Sequence, residues 1–294
     1  MNKIHTPVLL EESIKALNVK PKGFYIDCTL GDGGHSSKIL SQLSSQGLLL
    51  SIDRDSNSID FVKSYYDIPE NWIIAKGNFS NIKEILLSED VERKPDGILM
   101  DIGLSSRQLE EPNGRGFSYQ AENEPLDMRM DRTLNVSALD LLKVLEEHEL
   151  VKLFRLYGEE RYAKSIAKAI KENISGINTV GDLTSLIYKV VPVAQNNKNP
   201  SRRVFQALRI AVNDELNGLK QGLDNAFEIL SAHGRLAVIS FHSLEDRIVK
   251  DFFNKQEEEK KGEALTKKPT SATQKEKKKN PRSSSAKLRT LRKI

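Results

Sequence analysis

The sequence predicts an α/β fold in which a parallel sheet of strand–helix units is interrupted by an all-helical insertion. Three observations carry this. Short apolar runs that end on or near an acid recur through the first hundred residues. A glycine turn follows the first of them, and the roughly 90 residues after position 109 hold no strand-like run. Short apolar runs separated by helical stretches mark parallel strands buried on both faces.

Phe24–Leu30 is the first expected strand, and it leads into Gly31-Asp32-Gly33-Gly34. His35–Leu43 follows as a helix with Ile39, Leu40 and Leu43 on one face. Leu48–Ile52 before Asp53, Trp72–Ala75 before Lys76-Gly77-Asn78-Phe79, and Gly97–Met100 before Asp101 are the next three strands. Residues 111–131 are irregular, with Pro112, Gly114, Gly116 and Pro125. Ser137 suits a helix N-cap and opens a mostly helical stretch to about Val191. Ala163, Ile166, Ala167 and Ile170 recur there at helical spacing, as do Leu183, Leu186, Ile187 and Val190 before Pro192. Val204–Leu230 reads as one long helix closed by His233-Gly234, and Leu236–Phe241 as the fifth strand. His242 and a helix from Leu244 to Phe253 come next. The expected organisation is a discontinuous domain of residues 1–108 plus 202–294 around a helical domain of residues 109–201.

Composition narrows the class. With 38% hydrophobic and 29% charged residues over 294 positions, the chain is an ordinary globular protein rather than a disordered or fibrous one. No apolar run approaches the roughly 18 residues of a membrane span, and the start shows no signal-peptide stretch. Cys28 is the single cysteine, so an internal disulfide is excluded and a cytoplasmic setting is expected. Cysteine and histidine spacing offers no zinc finger, and no metal is expected. The net charge of +4 hides an asymmetry: residues 255–294 carry fourteen Lys/Arg against five Asp/Glu, the rest 31 against 36. An acidic body with a basic tail suits a polyanionic partner, although such tails are also common as solvated surface.

Ligands of open parallel sheets bind beyond the carboxyl ends of the strands. Asp27, Asp32, Asp53, Asp101 and His242 are expected there. The glycine turn lets backbone approach a ligand at a helix start. Asp53, twenty residues beyond Gly33, stands where an acid accepts from ribose hydroxyls. A rim of carboxylates repels a pyrophosphate and attracts a cation. Position 36 is Ser where a dinucleotide motif has its third glycine. Both features favour S-adenosylmethionine, a cationic nucleoside, over NAD. A hydrolase built on Ser240, His242 and Asp246 lacks the G-x-S-x-G elbow.

The stretches His5–Glu12, Asp27–Ser36, Asp101–Leu109, Arg115–Tyr119, Pro125–Asp131, Tyr157–Arg161, Phe205–Ile210 and Ile239–Lys250 together resemble one family across nearly the whole chain. It is the bacterial 16S ribosomal RNA cytosine-N4 methyltransferases, the MraW or RsmH family. The resemblance implies a Rossmann-like S-adenosylmethionine-dependent methyltransferase fold with an inserted all-α domain. It also implies methylation of N4 of a cytidine in the decoding centre, with 16S rRNA in the small ribosomal subunit as partner. Gly33, Gly34, His35, Asp53, Phe79, Asp101 and Gln108 would form the donor site, with Phe79 near adenine. The last two strands would be Ala264–Pro269 and Ser285–Leu291.

The target amine is a weak nucleophile, so positioning and an acceptor for its hydrogen matter most. Asp101 is the first candidate for that catalytic role and His242 the second. The Asn/Asp-Pro-Pro-aromatic motif of many amine methyltransferases is replaced by Asp101-Ile102-Gly103-Leu104, which leaves Phe117, Tyr119 and Phe241 as candidates to stack on the base. Arg115, Lys198, Arg202 and Arg203 are candidate phosphate contacts. The base must be flipped out to react, and a covalent route through Cys28 is not expected. A homodimer is one arrangement the sequence allows.

Overall fold

The structure, a computed structural model, describes residues 6–110, 114–192 and 199–294. The chain divides into two units, Met1–Ser105 with Leu216–Ile294, and Ser106–Glu215.

In the first unit α1 (Leu10–Leu17), β1 (Phe24–Asp27), α2 (Gly34–Leu40), β2 (Leu48–Asp53), α3 (Ser56–Tyr65), β3 (Trp72–Lys76), α4 (Ile82–Ser88) and β4 (Gly97–Asp101) alternate. The helical unit holds α5 (Ser106–Glu110), α6 (Ala138–Val144), α7 (Glu147–Gly158), α8 (Ala163–Glu172), α9 (Val180–Val190) and α10 (Ser201–Asn213). The first unit then resumes with α11 (Glu215–Ile229), β5 (Arg235–Ser240), α12 (Ser243–Glu258), β6 (Gly262–Ala264), β7 (Thr270–Ser271), α13 (Gln274–Lys279) and β8 (Lys287–Lys293).

The sheet runs β3-β2-β1-β4-β5-β8-β6, with β7 also on β8. β1 to β5 are parallel to their neighbours and β8 is antiparallel to β5. The apolar runs are continuous because both faces are covered. Ile26, Leu50, Ile98, Leu236 and Val238 point into a core closed by α4, α11 and α12. Tyr25, Leu49, Leu99, Ala237 and Ile239 point into the opposite core under α1, α2 and α3. The strand order reverses between β1 and β4, and such a switch point opens a crevice at the strand ends.

The helical unit is built on capped, amphipathic helices. Ser137 with Asp140, and Thr179 with Asp182, form reciprocal capping boxes at the starts of α6 and α9. Ile166, Ala167 and Ile170 of α8 are buried with Leu183 and Ile187 of α9, as the spacing predicts. α10 packs on α7.

Three sequence expectations change. Val204–Leu230 is two helices, because Asp214 turns left-handed (φ 48°) and the Asn213 side chain leaves the helix to accept from Met130 N–H and donate to the Met128 carbonyl. As a result α10 lies in the helical unit, so the boundary read at residue 202 falls at 215. The strand expected over Ala264–Pro269 stops at Ala264, before Pro269, which has no N–H to offer a sheet. The first helix begins at Gly34 and ends at Leu40, three residues before Leu43.

Candidate donor site

β1, β2 and β4 end on Asp27, Asp53 and Asp101 at the switch point. The three carboxyls have different surroundings. Asp27 is fully buried, accepting from the Ser36 hydroxyl at 2.6 Å and from Thr29 N–H at 3.1 Å. Ser36 is hydrogen-bonded to Ser51, whose Oγ also accepts from the Trp72 indole N–H, both at 2.8 Å. Burial pushes Asp27 up to about 6 despite these bonds. Asp27 is therefore an internal brace, which corrects its expected place as an open rim acid.

Asp53 is clamped for reception. Its Oδ2 accepts from Gly31 N–H at 2.8 Å and its Oδ1 from Asp55 N–H at 2.9 Å. Each oxygen keeps a further lone pair for a hydroxyl. Burial raises its pKa to about 6, against those two N–H bonds.

Asp101 is the most perturbed of the three. Its N–H donates to Thr29 Oγ1 at 2.8 Å, and its Oδ2 lies 3.6 Å from His35 Nδ1. Its Oδ1 is buried with no hydrogen-bond partner among the described residues. Burial, then the charges of Asp27 and Glu245, push this carboxyl up to about 8. His35, 4% exposed, sets its Nε2 3.1 Å from the Val8 carbonyl. A carbonyl only accepts, so the proton sits on Nε2 and the Nδ1 lone pair faces Asp101. Burial holds His35 near 4, hence neutral.

The glycine turn has a division of labour that the sequence did not reveal. Gly33 takes a left-handed conformation (φ 79°). Gly34 is small for a different reason: a Cβ there would overlap the ring of Pro7. Residues 6–9 thus pass as a strap over the start of α2, and Gly34 seats that strap. His35 likewise serves Val8 and Asp101.

The other sequence candidates separate. Phe79 is 8% exposed and packs on Gly222 of α11 at the edge of the core. Phe241 is half-buried with its ring on Gly103. His242 caps α12 and forms a reciprocal box with Glu245: Nδ1 accepts from Glu245 N–H at 3.4 Å, and Glu245 Oε2 accepts from His242 N–H at 3.2 Å, while Nε2 lies 3.0 Å from Glu245 Oε1. One ring nitrogen serves the helix start, while Nε2 is buried without a hydrogen-bond partner among the described residues. In the helical unit Gln108 is buried on α5. Arg115 is 2% exposed; its guanidinium donates to the Met130 carbonyl and lies 5.1 Å from the Phe117 ring centre. Burial removes Arg115 from the phosphate contacts and Phe117 from the stacking candidates. Tyr119 packs edge-on against Phe205. Arg202 and Arg203 are exposed on α10, and Lys198 lies outside the described residues. Thr29, Val8 and Glu245 were missed as partners of the site, because each acts through a carbonyl, a hydroxyl or a distant charge that no local motif marks.

Carboxyls whose pKa values are raised by burial without a counter-ion form a site that gains from an arriving cation. The ring of acids, the hydroxyl-ready Asp53 and the orphaned Asp101 Oδ1 suit a sulfonium and ammonium on a ribose. A parallel five-strand sheet of order 3-2-1-4-5, an antiparallel strand beyond it and this acidic switch point define an S-adenosylmethionine-dependent methyltransferase. The chain belongs to the MraW methylase family, whose model matches residues 2–294. It is 46% identical, over 99% of both chains, to a ribosomal RNA small subunit methyltransferase H of Caldicellulosiruptor saccharolyticus. It is 44% identical to proteins of the same description from Clostridium botulinum, over 99% of both chains, and from Fusobacterium nucleatum, over 100% of this chain and 98% of that one. Among the described residues no helix is long and apolar enough to cross a membrane.

Proposed function

We propose that this methyltransferase modifies N4 of a cytidine in 16S ribosomal RNA, acting in the cytoplasm on the small ribosomal subunit. The observation that carries the chemistry is the buried, unpartnered Oδ1 of Asp101 at the end of β4. An exocyclic amine brings N–H groups that this oxygen lacks. The RNA target is supported by the relatives, which are described as small-subunit ribosomal RNA methyltransferases.

S-adenosylmethionine supplies an electrophilic methyl when bound. Asp53 holds the ribose hydroxyls, and the acid rim attracts the positive sulfur side. The flipped cytosine presents its amine to Asp101, whose carboxylate accepts one N–H and turns the nitrogen lone pair toward the methyl. The new N–C bond forms as the C–S bond breaks, and the displaced proton passes to Asp101. Burial raises this carboxyl to about 8, so its carboxylate form, populated as pH approaches and passes that value, takes up the proton readily. A covalent route needs a thiolate, and Cys28 is buried with its thiol pushed well above its ordinary value by desolvation. The helical unit is the substrate-recognition element, with Arg202 and Arg203 as exposed phosphate contacts and Tyr119 or Phe241 as base-side aromatics.

The test is transfer from labelled S-adenosylmethionine to small subunits lacking the modification, with wild type and Asp101→Ala. N4-methylcytidine at one site, lost in the variant, is the expected result. Donor binding without transfer to these subunits would overturn the target.

A further inference from the structure

The basic C-terminal segment is an ordered part of the first unit. β8 lies between β5 and β6, and its first residue, Lys287, pairs with Ser240 at the carboxyl end of β5. Because β8 is antiparallel, the segment entering it sits on the donor side of the sheet. That segment contains α13, Gln-Lys-Glu-Lys-Lys-Lys over 274–279.

Two bonds fix α13 to the strap. Glu276 Oε1 accepts from Leu9 N–H at 2.8 Å, and Asn280 Nδ2 donates to the Thr6 carbonyl at 3.0 Å. The same strap seats Pro7 on Gly34 and gives its Val8 carbonyl to His35. The one acid of α13 is thus turned inward. Lys275, Lys278 and Lys279 are exposed, and none of them pairs with a carboxylate among the described residues. By contrast Lys287 and Arg289 of β8 are both spent on Asp246. Unneutralised lysines on a short helix cost stability through mutual repulsion, so their grouping calls for an external anion.

We propose that α13 is a phosphate-backbone contact that holds the RNA substrate at the donor-side rim, with Lys275, Lys278 and Lys279 as its charges. The inference rests on ribosomal RNA being the substrate. A regularly spaced polyanion fits three point charges on a rigid helix, and lysine contacts of this kind bind without reading sequence.

The experiment compares wild type, Lys275→Ala/Lys278→Ala/Lys279→Ala and the corresponding triple Arg variant. Alanine favours helix, so α13 is retained. With small ribosomal subunits lacking the modification, the Ala variant should show a KM raised on the order of tenfold with kcat nearly unchanged. Its plot of log affinity against log salt should be shallower by about 2, the release expected from three lost contacts. S-adenosylhomocysteine affinity by calorimetry should equal that of wild type, and the Arg variant should behave as wild type. An unchanged KM and salt slope in the Ala variant would overturn the role of α13. Wild type that binds subunits without methylating them would overturn the target instead, while the salt slopes would still decide the role of α13.

Discussion

The strand-end aspartates of the first unit and the aspartates of the helical unit behave in opposite ways. At the strand ends Asp27, Asp53 and Asp101 are all raised, to about 6, 6 and 8, because burial is not matched by a cation. In the helical unit burial also pushes Asp127 up, but the hydrogen bonds and charge of Arg129 outweigh it and leave the carboxyl below its usual range. Asp140 is lowered by the Ser137 hydroxyl and N–H, and Asp182 chiefly by the N–H groups of Asn178 and Thr179. The same side chain therefore serves two ends. Near the surface and paired with donors it holds a loop or helix start together; buried without a counter-ion it stores a demand for positive charge that a ligand meets.

The contrast is broken most severely at Asp101. Asp101→Asn should lower single-turnover methyl transfer by about 10²–10⁴-fold with donor affinity largely kept. Wild-type rate should rise with pH toward a plateau above about 8, as the carboxylate form is populated. A raised carboxyl pKa favours the proton-bound folded state, so its stabilisation is greatest below the unfolded value and is lost as pH climbs through about 8. The variant should therefore melt higher than wild type at pH 9, which scanning calorimetry would show. A flat pH profile would remove Asp101 from the chemistry.

Asp53→Asn comes next, with donor affinity reduced about 10–100-fold, the value of charge-assisted hydrogen bonds to the ribose. Titration calorimetry should also find wild-type affinity rising with pH through about 6, where Asp53 ionises, and no such rise in the variant.

The helical unit should respond in stability instead. Asp127→Ala removes the partner of Arg129, 2.7 Å away, and should cost about 1–2 kcal/mol. Depressed carboxyls stabilise above their unfolded value and lose this as pH falls through the folded one, so the deficit should vanish in acid below the usual carboxylate range. Thr179→Ala, which breaks the α9 capping box, should cost about 1 kcal/mol at neutral pH and leave methyl transfer unchanged.

What was legible in the sequence follows from where the forces are local. The strands could be read because burial on two faces leaves an apolar run, and Ser137 because a cap acts within one turn. The break at Asn213-Asp214 was hidden, since the Asn213 side chain is drawn away by backbone of residues 128 and 130. Asp53 and Asp101 were found by position at strand ends. The packing of Phe79 on Gly222, of Gly34 on Pro7 and of Arg115 on Met130 was hidden, because a motif does not show such long-range contacts. The tail's lysines hid β8 from composition, so that only the family resemblance placed a strand there; its Leu288, Thr290 and Leu291 are buried in the sheet.

The hydrogen-bonded chain from Asp27 through Ser36 and Ser51 ends on Trp72, the one tryptophan of the sequence, 3% exposed. An indole whose N–H is wired to a titrating carboxyl is an optical reporter. Its emission maximum and intensity should follow the protonation of Asp27 near pH 6, so the state of this buried brace is readable by intrinsic fluorescence without any label.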